Sequence, residues 1–326
     1  MIVRALACLV LLVLVFIAAG GALSAATAAP PLRGKMVDIG GRRLHLICEG
    51  PPAGTNGPTI VFEAGAFGFS ADWGAVQQMA TAKGWRSCAY DRAGAGVSDP
   101  GPGPRDALHV TDDLHALLAK AGEKGPFILV GHSMAGLYIP MYAKRWPDEV
   151  AGLVYVDATT REASKERAMN GFVNRFAQSS KWASIGASMG LFKPLTNRYG
   201  DRIGLPPAAK AEKKHAFASG AHNRNAYAEV REWGPSAKQL VDIGAVDPAL
   251  PVSVVTAGPE RPQQTLRTAP ATESKHGYYR NVEAAEHRTL LGLEHGREVI
   301  EGIARVRAAL TPPATAAAAP QDRPKA

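Results

Sequence analysis

The sequence is poor in cysteine and has no block of like charge. Three cysteines in 326 residues exclude a small domain held together by a disulfide framework. Once Cys8 is set aside with the N-terminal segment, two cysteines without convergent histidines do not make a zinc site. The net charge is +8, yet the basic residues are scattered. The densest group, Lys210-Ala-Glu-Lys-Lys-His215, includes an acid and reads as solvated surface, so no nucleic-acid partner is expected. No G-x-G-x-x-G follows the first strand and no H-E-x-x-H occurs, so neither nucleotide nor metal is expected as cofactor. No internal repeat is present. With 46% hydrophobic and 20% charged residues, the chain is neither collagen, coiled coil nor wholly disordered.

What is present begins at the N-terminus. Arg4 precedes an uncharged run, Ala5–Leu23, and small residues follow. Ala26-Thr27-Ala28 fits an A-x-A cleavage site, so residues 1–29 read as an export signal. The run is also long enough to cross a bilayer if it is kept as an anchor. The expected location is periplasmic or secreted, with membrane attachment only in the anchored case. An oxidising compartment permits one disulfide between Cys48 and Cys88; two buried thiols are the alternative.

Past the signal, strands alternate with helices. Met36–Ile39 and Arg42–Glu49 flank Gly40-Gly41 as a hairpin, with Arg43 and His45 alternating with Leu44, Leu46 and Cys48 as in a half-buried strand. The short apolar run Thr59–Phe62 fits a strand buried on both faces, Phe127–Val130 reads as a buried strand, and Val150–Val156 reads as a strand. Trp85–Tyr90, Pro251–Thr256 and Tyr279–Ala284 read as further strands. Asp72–Lys83, Val110–Ala121, Met134–Arg145 and Glu298–Leu310 read as helices. This pattern implies an α/β fold with a mostly parallel sheet covered by helices. The core spans residues 36–159 and 246–311. A helical insertion, residues 160–245, interrupts it. Residues 312–326, rich in Pro and Ala, read as a disordered tail.

Gly131-His-Ser-Met-Ala-Gly136 lies between a buried strand and a helix, the setting of a nucleophile elbow. A sharp turn there holds the Ser133 hydroxyl out at the carboxyl end of the sheet, and small neighbours let strand and helix approach. The motif departs from G-x-S-x-G at Ala135, with Gly136 following. His132, beside the nucleophile, suits a packing role.

Together with Val61-Phe-Glu-Ala-Gly-Ala66, Cys88-Ala-Tyr-Asp-Arg-Ala-Gly-Ala-Gly96, Gly152-Leu-Val-Tyr-Val-Asp157 and Glu286-His-Arg-Thr-Leu-Leu291, the elbow resembles the α/β-hydrolase superfamily, in particular bacterial serine hydrolases with a Glu-Ala-Gly-Ala oxyanion loop. The resemblance covers nearly the whole core and neither insertion nor tail. It implies neighbouring second and fourth strands, which would bring Cys48 and Cys88 together. A serine nucleophile needs a base, and the base needs an orienting acid. The family order of Ser, acid, His implies Ser133 as nucleophile and His287, after the last strand, as base. His295 suits a surface or capping role and His276 loop surface. Asp157 is the preferred acid, with Glu260 the alternative. Ala66 and Met134 are implied as oxyanion-hole donors. Glu63 reads as loop bracing, and Asp91-Arg92 as structural.

The insertion is expected to lie over Ser133. Its apolar residues Phe172, Phe176, Trp182, Met189, Leu191 and Phe192 either line a pocket or pack the insertion onto the core. The expected activity is hydrolysis of a carboxylic ester, a small molecule with an apolar group, through an acyl-enzyme. Alternatives are another serine-triad reaction (thioester, lactone or C–C bond hydrolysis, acyl transfer) and a binding protein without turnover.

Overall fold

A computed structural model describes residues 2–26, 28–260 and 262–310. The tail at 312–326 and Thr27 of the expected cleavage site lie outside them.

Eight strands form one sheet: β1 (Lys35–Asp38), β2 (Arg43–Glu49), β3 (Thr59–Glu63), β4 (Ser87–Tyr90), β5 (Phe127–His132), β6 (Val150–Val156), β7 (Val252–Ala257) and β8 (Gly277–Val282). Their order is β1-β2-β4-β3-β5-β6-β7-β8. β2 runs antiparallel to β1 and β4, and the remaining pairs are parallel. β3, β5 and β7 are buried along their whole length, which is why they read as unbroken apolar runs rather than alternating ones. The helices are α1 (Ile2–Ala26), α2 (Gly74–Ala82), α3 (Ala107–Ala121), α4 (Ile139–Arg145), α5 (Arg161–Ser164), α6 (Arg167–Ser188), α7 (Thr196–Tyr199), α8 (Pro207–Phe217), α9 (Gly220–Arg231), α10 (Trp233–Asp242), α11 (Gln264–Glu273) and α12 (Gly296–Leu310). Val76 and Ala80 of α2 and Val299, Ile303 and Val306 of α12 pack with Phe62, Val130 and Val154 on one face of the sheet. Leu114, Leu117 and Leu118 of α3 and Tyr142 of α4 pack with Val61, Leu129 and Leu153 on the other.

Local chemistry sets the element ends. α3 begins three residues before the apolar periodicity does, because the Asp106 side chain accepts the His109 N–H and caps it. It stops at Gly122, which takes a left-handed conformation. The elbow helix is divided into a 3-10 turn, Ser133–Leu137, and α4, with Pro140 in the first turn of α4.

Two features depart from the sequence reading. His45 is not on a solvated face. It is buried, with Nδ1 3.0 Å from Asp91 Oδ2 and Nε2 on the Arg33 carbonyl, because the segment before β1 covers that side of the sheet. α11 has no apolar periodicity and contains Pro270. Proline cannot donate to the Leu266 carbonyl one turn back; the Thr160 hydroxyl donates there instead, at 2.6 Å.

Cys48 and Cys88 face each other in the β2–β4 register and form a disulfide with Cα atoms 4.1 Å apart. Helices α5–α10 lie between β6 and β7. Of α1, Ile2–Gly20 is apolar and long enough to cross a membrane. Its far end meets the insertion, where a Cβ on Gly20 would fall 2.2 Å from the Gly190 carbonyl oxygen.

Candidate active site

Non-glycine residues with positive φ number three among the described residues: Phe67 at 59°, Ser133 at 56° and Asp157 at 44°. All three lie at the carboxyl end of the central strands. Such backbone costs on the order of 1–3 kcal/mol each, and it persists where the surroundings over-determine it. At Ser133 they do. The Thr159 N–H donates to the Ser133 carbonyl at 2.9 Å, joining the elbow to the chain leaving β6. A Cβ on Gly136 would sit 2.0 Å from the Thr159 carbonyl oxygen. The crossing that demands glycine is therefore at Gly136. Ala135, where the motif has its second glycine, is buried without such a contact. Gly65 approaches from the opposite side, with a Cβ there falling 2.9 Å from Ser133 Cβ.

Asp157 leaves β6 and is anchored on β7 by its own N–H to Val255 O at 2.7 Å. One carboxylate oxygen, Oδ2, is 2.5 Å from Nδ1 of His287. The other accepts the Ala257 N–H at 3.1 Å and pairs with the Arg267 guanidinium. His287 sits in the loop after β8, its side chain half exposed. Glu260 is exposed in the turn after β7, so Asp157 is the acid that the fold brings to Nδ1. His132 holds the same loop: its Nε2 is 2.9 Å from the His287 carbonyl. Burial and the facing His287 push His132 well below the usual histidine range. It is neutral at neutral pH, and Nε2–H donates to that carbonyl.

The loop after β3 is braced by buried charge. Arg92 donates to Glu63 at 2.6 Å, to the Ala64 carbonyl at 2.6 Å and to the Gly65 carbonyl at 2.9 Å. It also grips Glu229 of α9 with two bonds, at 2.9 and 2.7 Å. Burial raises the Glu63 carboxyl, and Arg92 pulls it back. The Tyr90 hydroxyl donates to Glu63 as well. The Phe67 carbonyl lies 3.0 Å from Lys213 Nζ and 3.3 Å from His222 Nε2. Burial lowers His222 to about 4; the ring is neutral, accepting the Gly96 N–H on Nδ1. Three insertion residues thus hold a core loop. Ala66 lies on this loop. Met134 is in the first turn after the elbow, a 3-10 turn whose leading N–H groups have no acceptor within the turn.

Ser133, Asp157 and His287 share a cavity of about 520 Å³. Its walls include Ala163, Met169, Phe172, Trp233 and Leu266, with Glu166 and Arg267 as the charged groups besides Asp157. Of the six insertion residues singled out from sequence, Phe172 lines it. Phe176 packs on Phe67, Phe172 and Trp233, and Phe192 stacks on Phe217. Trp182 and Met189 face solvent. Leu191 is half-buried at the end of α6.

Other expectations need correction. Lys213 is not surface, because it forms a half-buried pair with Asp72 at 2.7 Å. His295 is buried next to the start of α12, whereas His276 is exposed. Arg267, Glu229, His222 and Trp233 were not legible as site residues. Glu229 alone carried a signal: it sits with Ala226 and Val230 on the apolar face of its helix, where a charge needs a buried partner.

A probable transporter, efuK, of Hormonema carpetanum is 38% identical over 129 residues, which is 38% of this chain and 18% of that protein. The chain spans less than half the length of each curated relative it matches. Two solved structures share the fold. A putative epoxide hydrolase from Pseudomonas aeruginosa superposes with a TM-score of 0.66 at 16% identity, over 87% of this chain and 100% of that one. A thermophilic esterase from Thermogutta terrifontis does so with a TM-score of 0.61 at 19% identity, over 86% and 100%. The family described as "Alpha/beta hydrolase family" matches residues 60–302, from the second residue of β3 into α12, and the chain belongs to that family.

Proposed function

We propose that this protein is a serine hydrolase that cleaves carboxylic esters carrying an apolar group. The observation that carries the reading is Ser133 on a left-handed elbow, sharing one cavity with a His287 whose Nδ1 is held by Asp157.

With Nδ1–H committed to Asp157, the other ring nitrogen of His287 is the basic one. It takes the Ser133 proton as Oγ attacks the ester carbonyl, and a tetrahedral intermediate forms. The N–H groups of Ala66 and Met134 receive the oxyanion; losing one such donor costs about 3–4 kcal/mol of barrier. The imidazolium then gives its proton to the departing alkoxide oxygen, leaving an acyl group on Ser133. Water, deprotonated by the same imidazole, attacks that acyl carbon. Collapse of the second intermediate returns the proton to Oγ and frees the acid. Asp157 stabilises the imidazolium twice per turnover.

An aspartate-nucleophile hydrolysis of the epoxide or haloalkane type is disfavoured by Ser133 at the elbow. Met169, Phe172, Trp233 and Leu266 favour an apolar acyl or alkyl group. The apolar N-terminal helix and the Cys48–Cys88 disulfide support an exported protein.

The test is labelling by a fluorophosphonate probe, followed by p-nitrophenyl esters of increasing chain length. The wild type should label and turn over, and Ser133→Ala should do neither. Equal labelling of both proteins would refute the assignment.

A further inference from the structure

Helix α6 serves two surroundings. Its first half lines the cavity through Met169 and Phe172. Its second half, with Met189 capping its end, turns an apolar stripe to solvent: Trp182, Ile185 and Met189 are 68%, 39% and 44% exposed. Their spacing of three and four residues puts them on one face. Outside α1, Trp182 is the most exposed large apolar side chain among the described residues. Leu195 and Tyr199, just beyond, are exposed as well.

The charge around this stripe is of one sign. Residues 167–200 contain Arg167, Arg175, Lys181, Lys193 and Arg198, and not one Asp or Glu. Among the described residues, no ion pair engages Arg175, Lys181, Lys193 or Arg198. An apolar strip bordered by unpaired cations suits a plane that is apolar inside and anionic at its surface.

The contact of α1 gives that plane a position. Gly20, at the end of the stretch long enough to cross a membrane, is packed against Gly190. Gly190 is the residue after Met189 and closes the end of α6 through its N–H to Ala187 O. The apolar helix therefore reaches the body beside the stripe.

We propose that the second half of α6, with the segment through Tyr199, rests on an anionic lipid bilayer. Trp182, Ile185 and Met189 enter the acyl boundary, and Lys181, Lys193 and Arg198 meet lipid phosphates. This surface lies outside the catalytic cavity, and the proposal does not depend on the ester reading.

The test uses the full chain in vesicles of phosphatidylcholine alone or mixed with phosphatidylglycerol, with bromines on the upper acyl chain to quench tryptophan. The mixed vesicles should quench a component of the emission, and Trp182→Phe should remove most of it. Lys181→Glu with Arg198→Glu should reduce quenching in the mixed vesicles to the level seen in phosphatidylcholine alone. Melting curves matching wild type establish that the variants fold. Quenching that survives Trp182→Phe, with the chain recovered in the vesicle fraction, overturns the proposal. So does a concentration-dependent blue shift of Trp182 in the absence of lipid, which would mean that a second copy covers the stripe.

Discussion

Asp157→Asn tests the order of the catalytic groups most directly. The substitution keeps the shape of the side chain and replaces one carboxylate oxygen by NH2. Two donors already point at Oδ1, the Ala257 N–H at 3.1 Å and the Arg267 guanidinium. The amide oxygen must stay there, so the NH2 turns to His287 Nδ1. That nitrogen then has to accept, and the ring proton moves to the nitrogen that should receive the Ser133 proton. The wrong tautomer costs about 10⁴ in kcat, equivalent to about 5 kcal/mol of barrier at 1.36 kcal/mol per decade. KM should change little, because the apolar walls of the cavity are untouched. Glu260→Gln, at an exposed position in the turn after β7, should stay within about twofold, as surface substitutions do. The assay is kcat and KM on a p-nitrophenyl ester, with a thermal melt to establish that both variants fold. Asp157→Asn within tenfold of wild type, with Glu260→Gln inactive, would refute the reasoning and transfer the role to Glu260.

Gly136→Ala puts a Cβ 2.0 Å from the Thr159 carbonyl oxygen, so elbow and β6 must part; a shift near 1 Å should cut kcat about a hundredfold, and wild-type turnover would refute it. Replacing Cys48 and Cys88 together by Ala opens a closure of 40 residues; urea unfolding should show a loss of about 3–4 kcal/mol in the chain-entropy account, with ester turnover at low denaturant retained. His222 gives a pH signature. Its pKa is about 4 in the fold against roughly 6.5 unfolded, so below 6.5 the unfolded chain binds a proton that the fold refuses. Its contribution is whole above pH 6.5 and is lost as pH falls toward 4, roughly 3 kcal/mol in all at 1.36 kcal/mol per unit. His222→Gln should flatten the fall of the urea midpoint between pH 6.5 and 4.5, and an unchanged slope would contradict the assignment.

What could be read along the chain was whatever depends on neighbours in sequence. The parallel strands announced themselves because both of their faces are buried, which leaves unbroken runs such as Phe127–Val130. The elbow was legible because a strand, a sharp turn and a helix stand consecutively around Ser133. His287 was implied as the base by resemblance, because the family's base follows the last strand. Strand neighbours were implied by resemblance, and that alone brought Cys48 to Cys88. The choice between Asp157 and Glu260 was left open, since both follow strands that end near the cavity. In the structure the left-handed turn at Asp157 and the β7 contact aim its carboxylate at Nδ1 of His287, which supports Asp157 in the proposed role.

Sequence by itself determined the succession of strands and helices, the strand-turn-helix setting of Ser133 and the run of helices between β6 and β7, because each is written in local periodicity and turn chemistry. Tertiary structure decided what surrounds them. α11 is held by the Thr160 hydroxyl on the carbonyl that Pro270 cannot reach with a donor, and it delivers Arg267 to Asp157. Arg92 is buried because Glu63 and Glu229, 166 residues apart in the sequence, converge on it from core and insertion. Burying a charge is favourable only when partners meet it, and which partners meet is a property of the packed chain.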